Sequence, residues 1–205
     1  MLNSETEAET LIDALRHCET AWLFTGSDFK TLIFPVMVFA TVVSPRHDPL
    51  ALACTVCWLW FHLFQFNVSN QSYSADEEIV NKPWRPLLSG RIGVEDSRTL
   101  RWALLVFCLG LSSIFSINVL ITSGVSTVLM ILHDDLYLGH HPIFRNLCNV
   151  AAHVTAGVGS GEPSLDGTSI KAFSCSALVI LLTIHAQDFA DVSGDRKSGD
   201  ELCRL

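Results

Sequence analysis

The chain has 205 residues, of which 49% are hydrophobic, with a positive mean hydropathy and a formal charge of −8. That composition points to a membrane protein, and the acidic balance, without a basic patch interleaved with aromatics, argues against a nucleic-acid partner. The seven cysteines are scattered. Cys54, Cys57, Cys108 and Cys175 lie inside apolar runs, where buried thiols are expected; the C-x-x-C spacing of Cys54 and Cys57 lacks a second pair and reads as packing rather than a zinc or redox site.

Residues 1–28 are polar and acidic without an early apolar core, which is not a signal-peptide pattern, and Leu11, Ile12 and Leu15 suggest a short amphipathic helix lying at the surface. The run 31–44 before the Pro-Arg-His-Asp-Pro turn makes a first span, and 49–66 a second. No formal charge falls between Arg101 and His133. At about 1.5 Å per residue that stretch is too long for one crossing, so two short helices with a turn near Asn118 to Gly124 are expected. A fifth span comes from 146–161, whose small residues suit a helix inside a bundle, and 170–187 makes a sixth. The expected fold is all-α, a polytopic transmembrane helical bundle of about six spans.

Basic residues orient it. With the N-terminus inside, Arg16, Lys30, Lys82, Arg85, Arg91, Arg98, Arg101, Arg145, Arg196, Lys197 and Arg204 fall on the inner side, against Arg46 and Lys171 outside. The N-terminus and the ends of spans two and six are then cytoplasmic. The acceptor patterns at Asn67 and Asn70 would not be glycosylated on that face.

Two polar constellations open onto this inner side. Asn70, Ser74 and Glu78 continue from span two at four-residue spacing, along one slanting helix face that advances by about 40° per step. A solvated helix end is the alternative reading. Asp188, Asp191 and Asp195 fall at i, i+3 and i+7 after span six, until Gly194 and Gly199 loosen the helix. Facing carboxylates would repel, and ionisable groups deep in a bilayer cost at least about 2.5 kcal/mol each, so a cation is expected between them. Carboxylate and amide oxygens suit Mg²⁺, which usually completes its shell with water and substrate phosphates. Lys82, Arg85 and Arg91 follow the first stripe and suit phosphate oxygens, though the positive-inside bias explains each of them equally well. His133, Asp134 and Asp135, with His140 and His141, invite a metal reading as well. An exposed inner loop is preferred there, one able to line the same cavity.

The stretches NQSYSADEEIVNKPWRPLLSGRI and QDFADVSGDRKSG together resemble the UbiA superfamily of intramembrane prenyltransferases and related terpene cyclases, whose first pattern is N-D-x-x-D-x-x-x-D with an N-K-P-x-R-P loop and whose second is D-x-x-x-D. The resemblance runs from the first span to the chain end. It places the family's Asn on Asn70, its last first-motif Asp on Glu78, and its second pair on Asp191 and Asp195, and it matches Asn81, Lys82, Pro83, Arg85 and Pro86 to the loop. It departs at Gln71 and Ser74, where the family usually has Asp, in the manner of a fungal branch tied to terpenoid secondary metabolism, and at Gly199-Asp200, where the family has Gly-Arg. Family members have more spans, so residues 29–205 are expected to be a UbiA-like transmembrane domain, C-terminally incomplete, after a polar segment at 1–28.

The resemblance implies a Mg²⁺-dependent enzyme of isoprenyl diphosphates, farnesyl or geranylgeranyl, drawn from membrane lipid. Asn70, Glu78, Asp191 and Asp195 would be catalytic; those residues and Asp188 would hold metal; Lys82, Arg85 and Arg91 would hold diphosphate. Cyclisation of the allylic cation to a terpene is the leading outcome, prenyl transfer to an aromatic or other small acceptor the alternative, and a catalytically degenerate membrane protein the third. Trp58, Phe61, Phe64, Phe66 and Tyr73 are available to shelter a cation, although lipid-facing positions are the preferred reading for aromatics in a span.

Overall fold

The computed structural model describes residues 2–43, 49–73, 82–136, 138, 144, 147–148, 150–151 and 167–183. The described elements are helices: α1 (Leu2–Thr25), a π-helical turn (Phe29–Ile33) running into α2 (Phe34–Val43), α3 (Pro49–Tyr73), α4 (Val94–Phe115), α5 (Ile117–Asp134) and α6 (Gly167–Thr183). No strand occurs among the described residues, and the all-helical membrane architecture expected from hydropathy is observed.

The polar N-terminal segment is one long helix, with Leu11, Ile12 and Leu15 exposed on it. It meets the first apolar run at a bend of 61°. The bend falls at the break over 26–28; further on, Pro35 has no N–H to return to the preceding turn, and just before it the Phe34 N–H reaches five residues back to the Phe29 carbonyl, which widens the helix into a π turn.

Among the described residues α3, α4 and α5 are each long and apolar enough to cross a membrane, and the bent α1–α2 pair makes a fourth candidate. At about 1.5 Å per residue, the 25 residues of α3 exceed a hydrocarbon core of about 30 Å, so at least one end projects into the interface. The α4–α5 break falls at Ser116 rather than between Asn118 and Gly124. Two local causes place it there. Glu95 and Asp96 suit the first turn of a helix and start α4 upstream of Arg101, which shifts the whole register; Ser116 then turns extended and its hydroxyl accepts from the Val119 N–H at 3.2 Å, capping α5. α6 is 17 residues long and rests Phe173 on Phe39 of α2. Most of the expected fifth span, and the end of the sixth, lie outside the described residues.

α3 is the central element, packed against α1, α2, α4 and α5. One cluster joins Trp58, Leu59 and Leu63 to Ile33, Val36 and Val119; a second joins Phe64 and Val68 to Phe24 of α1 and Leu104 of α4. Polar groups also lock α3 within the apolar layer. Trp58 Nε1 donates to Ser112 of α4 at 2.9 Å, and His62 Nε2 meets the Ser123 hydroxyl of α5 at 2.7 Å. Such bonds hold membrane helices together where lipid offers no alternative partner. The buried-thiol expectation holds for Cys108 alone; Cys54 is half-buried, and Cys57 and Cys175 are exposed, because an apolar thiol needs no burial where the helix surface meets lipid.

Candidate active site

The last turns of α3 are fastened on three sides. Toward α1, Asn67 Nδ2 donates to the Phe24 carbonyl at 2.8 Å and to Asp28 at 2.7 Å, so this formal glycosylation acceptor is a buried corner brace. Toward α4, Ser72 and Ser97 share a hydrogen bond of 2.8 Å. Toward the end of α5, Ser69 donates to Asp134 and Tyr73 OH donates to Asp135 at 2.6 Å. Arg101, 1% exposed, completes this third brace: it pairs with Asp135, donates to Tyr73 OH at 2.8 Å, and lies over the Tyr73 and Trp102 rings.

These contacts bring the ends of α1, α3 and α5 and the start of α4 to one rim, where the first polar constellation begins. They also correct two expectations. His133 and Asp134 are buried, 8% and 5% exposed, rather than part of an exposed loop, because α5 continues through Asp134 and hands both side chains to α3. Of the aromatics read as lipid-facing, Trp58 and Phe64 are buried and Phe61, Phe66 and Tyr73 half-buried, because α3 is surrounded rather than peripheral. The Arg101 bonds, chiefly, hold the Asp135 carboxyl below its ordinary range, against the opposing effect of burial.

The Lys82–Gly93 loop folds back onto this rim. Arg91 N–H bonds the Pro86 carbonyl at 2.9 Å, Gly90 takes the left-handed φ of 70° that closes the turn, and Leu87 and Ile92 pack on the second core cluster. Arg85 is thereby buried and Lys82 half-buried. Arg91 is instead exposed and paired with Glu19 of α1 at 2.8 Å. Asn70 is half-buried on α3. Ser74, Glu78, Asn81, Asp188, Asp191, Asp195, His140 and His141 lie outside the described residues. Arg101, read from sequence only as part of the basic bias, and Asp134 and Asp135, read as part of an exposed loop, carried one further signal: they flank the longest uncharged stretch of the chain, where a charge is costly unless paired.

The donors present suit a hard divalent cation. Asn70 offers an amide oxygen, and the neighbouring Gln71, 2% exposed, holds an amide whose oxygen and nitrogen are both buried without a hydrogen-bond partner among the described residues. A buried amide in that state marks a place where a ligand or ion is expected. No group of three His, Cys, Asp or Glu side chains gathers among the described residues, and the carboxylates assigned to metal lie outside them.

The fold and this rim define a helical membrane protein with polar side chains gathered at one end, and comparison with known proteins identifies its family. The chain matches the UbiA prenyltransferase family over residues 32–201 and belongs to that family. It is 30% identical over 193 residues to somaliensene A/B synthase of Streptomyces somaliensis, covering 90% of this chain and 64% of that protein. It is 27% identical over 192 residues to the fumagillin beta-trans-bergamotene synthase of Aspergillus fumigatus, covering 91% and 66%, and 26% identical over 189 residues to a polyprenyl transferase of Hericium erinaceus, covering 86% and 64%. The chain thus spans a little under two thirds of the length of these relatives. In three dimensions it resembles a UbiA homolog from Archaeoglobus fulgidus bound to DMAPP and Mg²⁺, with a TM-score of 0.70 over 89% of this chain and 65% of that one; at 16% identity the likeness is one of fold. Family and apolar helices together make this an integral membrane protein.

Proposed function

We propose that the chain carries out Mg²⁺-dependent ionisation of an isoprenyl diphosphate, farnesyl or geranylgeranyl, within the membrane, followed by cyclisation of the allylic cation to a terpene in secondary metabolism. One observation carries the reading. Asn70 and the unpartnered amide of Gln71 sit on the last turns of a membrane-length helix, at the rim onto which the Lys82–Arg85 loop folds. An oily tail can then lie along α3 while the charged head is met at the interface. The cyclase outcome is supported by the two terpene synthases among its relatives; the polyprenyl transferase supports the second reading, transfer to an aromatic or other small acceptor.

Asn70, Glu78, Asp188, Asp191 and Asp195 would hold Mg²⁺, which when bound supplies positive charge to the leaving diphosphate. Lys82 and Arg85 bind and orient phosphate oxygens, and the buried Arg85–Pro86 turn of the loop helps keep bulk water from the scissile bond. Arg91 reaches a phosphate only by leaving Glu19. Phe66, one helical turn before Asn70 on α3, offers an aromatic ring to a cation formed nearby, whereas the Tyr73 ring is already covered by Arg101. The N-terminus and this rim face the cytoplasm, in keeping with the basic bias of that side.

Membranes carrying the chain, given Mg²⁺ and either diphosphate without acceptor, are expected to form a hydrocarbon. Activity that begins only when a phenol is added decides for transfer. Asp191→Ala and Asp195→Ala are each expected to lower turnover by about 10²-fold or more at unchanged abundance; a loss of abundance alone decides for a catalytically degenerate protein.

A further inference from the structure

The best-built acid–base group on the rim is one that neither motif contains. His133 Nδ1 donates to Asp134 Oδ1 at 2.7 Å, and the other Asp134 oxygen accepts from Ser69 of α3. The carboxylate is 5% exposed, so it is committed to these two partners and fixes both the tautomer and the plane of the imidazole. The His133 ring lies 5.9 Å from the ring of Phe66, which precedes Asn70 by one helical turn. With Nδ1 engaged, Nε2 is the ring nitrogen left to exchange a proton. A base oriented by a buried carboxylate is the arrangement that general acid–base catalysis requires.

We propose that His133 is a catalytic residue of this chain and Asp134 its positioning residue: protonated His133 donates from Nε2 to a diphosphate oxygen as the allylic C–O bond breaks. The proposal rests on the prenyl-diphosphate reading above. The C–O electron pair leaves on the diphosphate, the Nε2 proton moves to a phosphate oxygen, and neutral imidazole remains. Quenching of the cation, whether by the chain's own double bonds or by an aromatic acceptor, releases one C–H proton, which returns the imidazole to its starting state. The demand for such a donor is written into the first motif, where Gln71 and Ser74 stand in place of carboxylates and attract less divalent charge to the leaving group. Among the described residues, further titratable groups adjoin the dyad. Asp135 is neutralised by Arg101 of α4 and bonded by Tyr73 of α3, and the Cys148 thiol lies within electrostatic reach of Asp134.

The test uses the full chain in lipid nanodiscs, with inorganic diphosphate as the binding probe and farnesyl and geranylgeranyl diphosphates as substrates. The variants are His133→Gln, His133→Asn, whose amide can still donate to Asp134 and so preserves the fold, and Asp134→Asn. Binding is read as the difference between wild type and variant. Both His133 variants are expected to bind inorganic diphosphate about tenfold more weakly than wild type, and Asp134→Asn, which frees the ring plane, nearly as weakly. For the His133 variants kcat is expected to fall by about 10²-fold, well beyond any rise in KM. Diphosphate binding in both His133 variants equal to that of wild type, or an unchanged kcat in either, overturns the proposal. If diphosphate binding depends on His133 but no diphosphate is released from either substrate, the ionisation reading fails and the His133 site stands.

Discussion

Arg101 is the residue on which the rim turns. A guanidinium 1% exposed in a membrane protein is tolerable only when its charge is paired: Asp135 pairs it, Tyr73 OH accepts from Nη1 and two rings flank it, while Nε is buried without a hydrogen-bond partner among the described residues. Asp135→Ala leaves that charge buried and unpaired. It is expected to cost about 2–3 kcal/mol in a detergent unfolding titration, below or at the low end for breaking a buried pair because Asp135 itself keeps access to water. Adding Arg101→Met should recover much of the loss. Since the Arg101 bonds lower the Asp135 pKa in the folded state, the unfolded chain binds more protons there. The stabilisation is therefore complete above the unfolded value of about 4 and disappears as pH falls through the lower folded value. The stability gap between wild type and Asp135→Asn should close over that acidic window and stay constant at neutral pH; a gap that widened in acid would refute the pairing.

At the scale of elements, boundaries were set by single groups that hydropathy does not register. Hydropathy located α3 and the long uncharged stretch correctly because burying or lipid-solvating apolar side chains dominates both. It misplaced the α4–α5 break because Ser116, a lone hydroxyl, decides where one helix stops. Ser116→Ala removes the acceptor for the Val119 N–H and should lower stability by about 1 kcal/mol, while Ser113→Ala, whose hydroxyl bonds only the Gly110 carbonyl within an exposed turn, should leave the unfolding midpoint nearly unchanged. The π turn before α2 has the same character: Pro35 is plain in the sequence, but whether its missing N–H would break, bend or widen the helix depended on what packs beside it.

For the whole molecule, the bundle puts Cys18 on the exposed face of α1, on the side of the bend where α1 meets the rim. In a chain whose other cysteines are replaced, a membrane-impermeant thiol reagent is expected to label Cys18 from the cytoplasmic side; labelling only from the opposite side would reverse the proposed orientation. By itself the sequence determined the helical membrane class and the family, and it pointed to Asn70 and the Lys82–Arg85 loop, because apolar runs, charge bias and motif spacing are local properties that survive without coordinates. Tertiary structure alone decided that Arg101, Asp134 and Asp135 close the rim, that His133 is oriented by a buried carboxylate, and that the α3 aromatics turn inward. Each of these depends on which helix lies opposite, and a partner distant along the chain leaves no mark in the residues on either side of it.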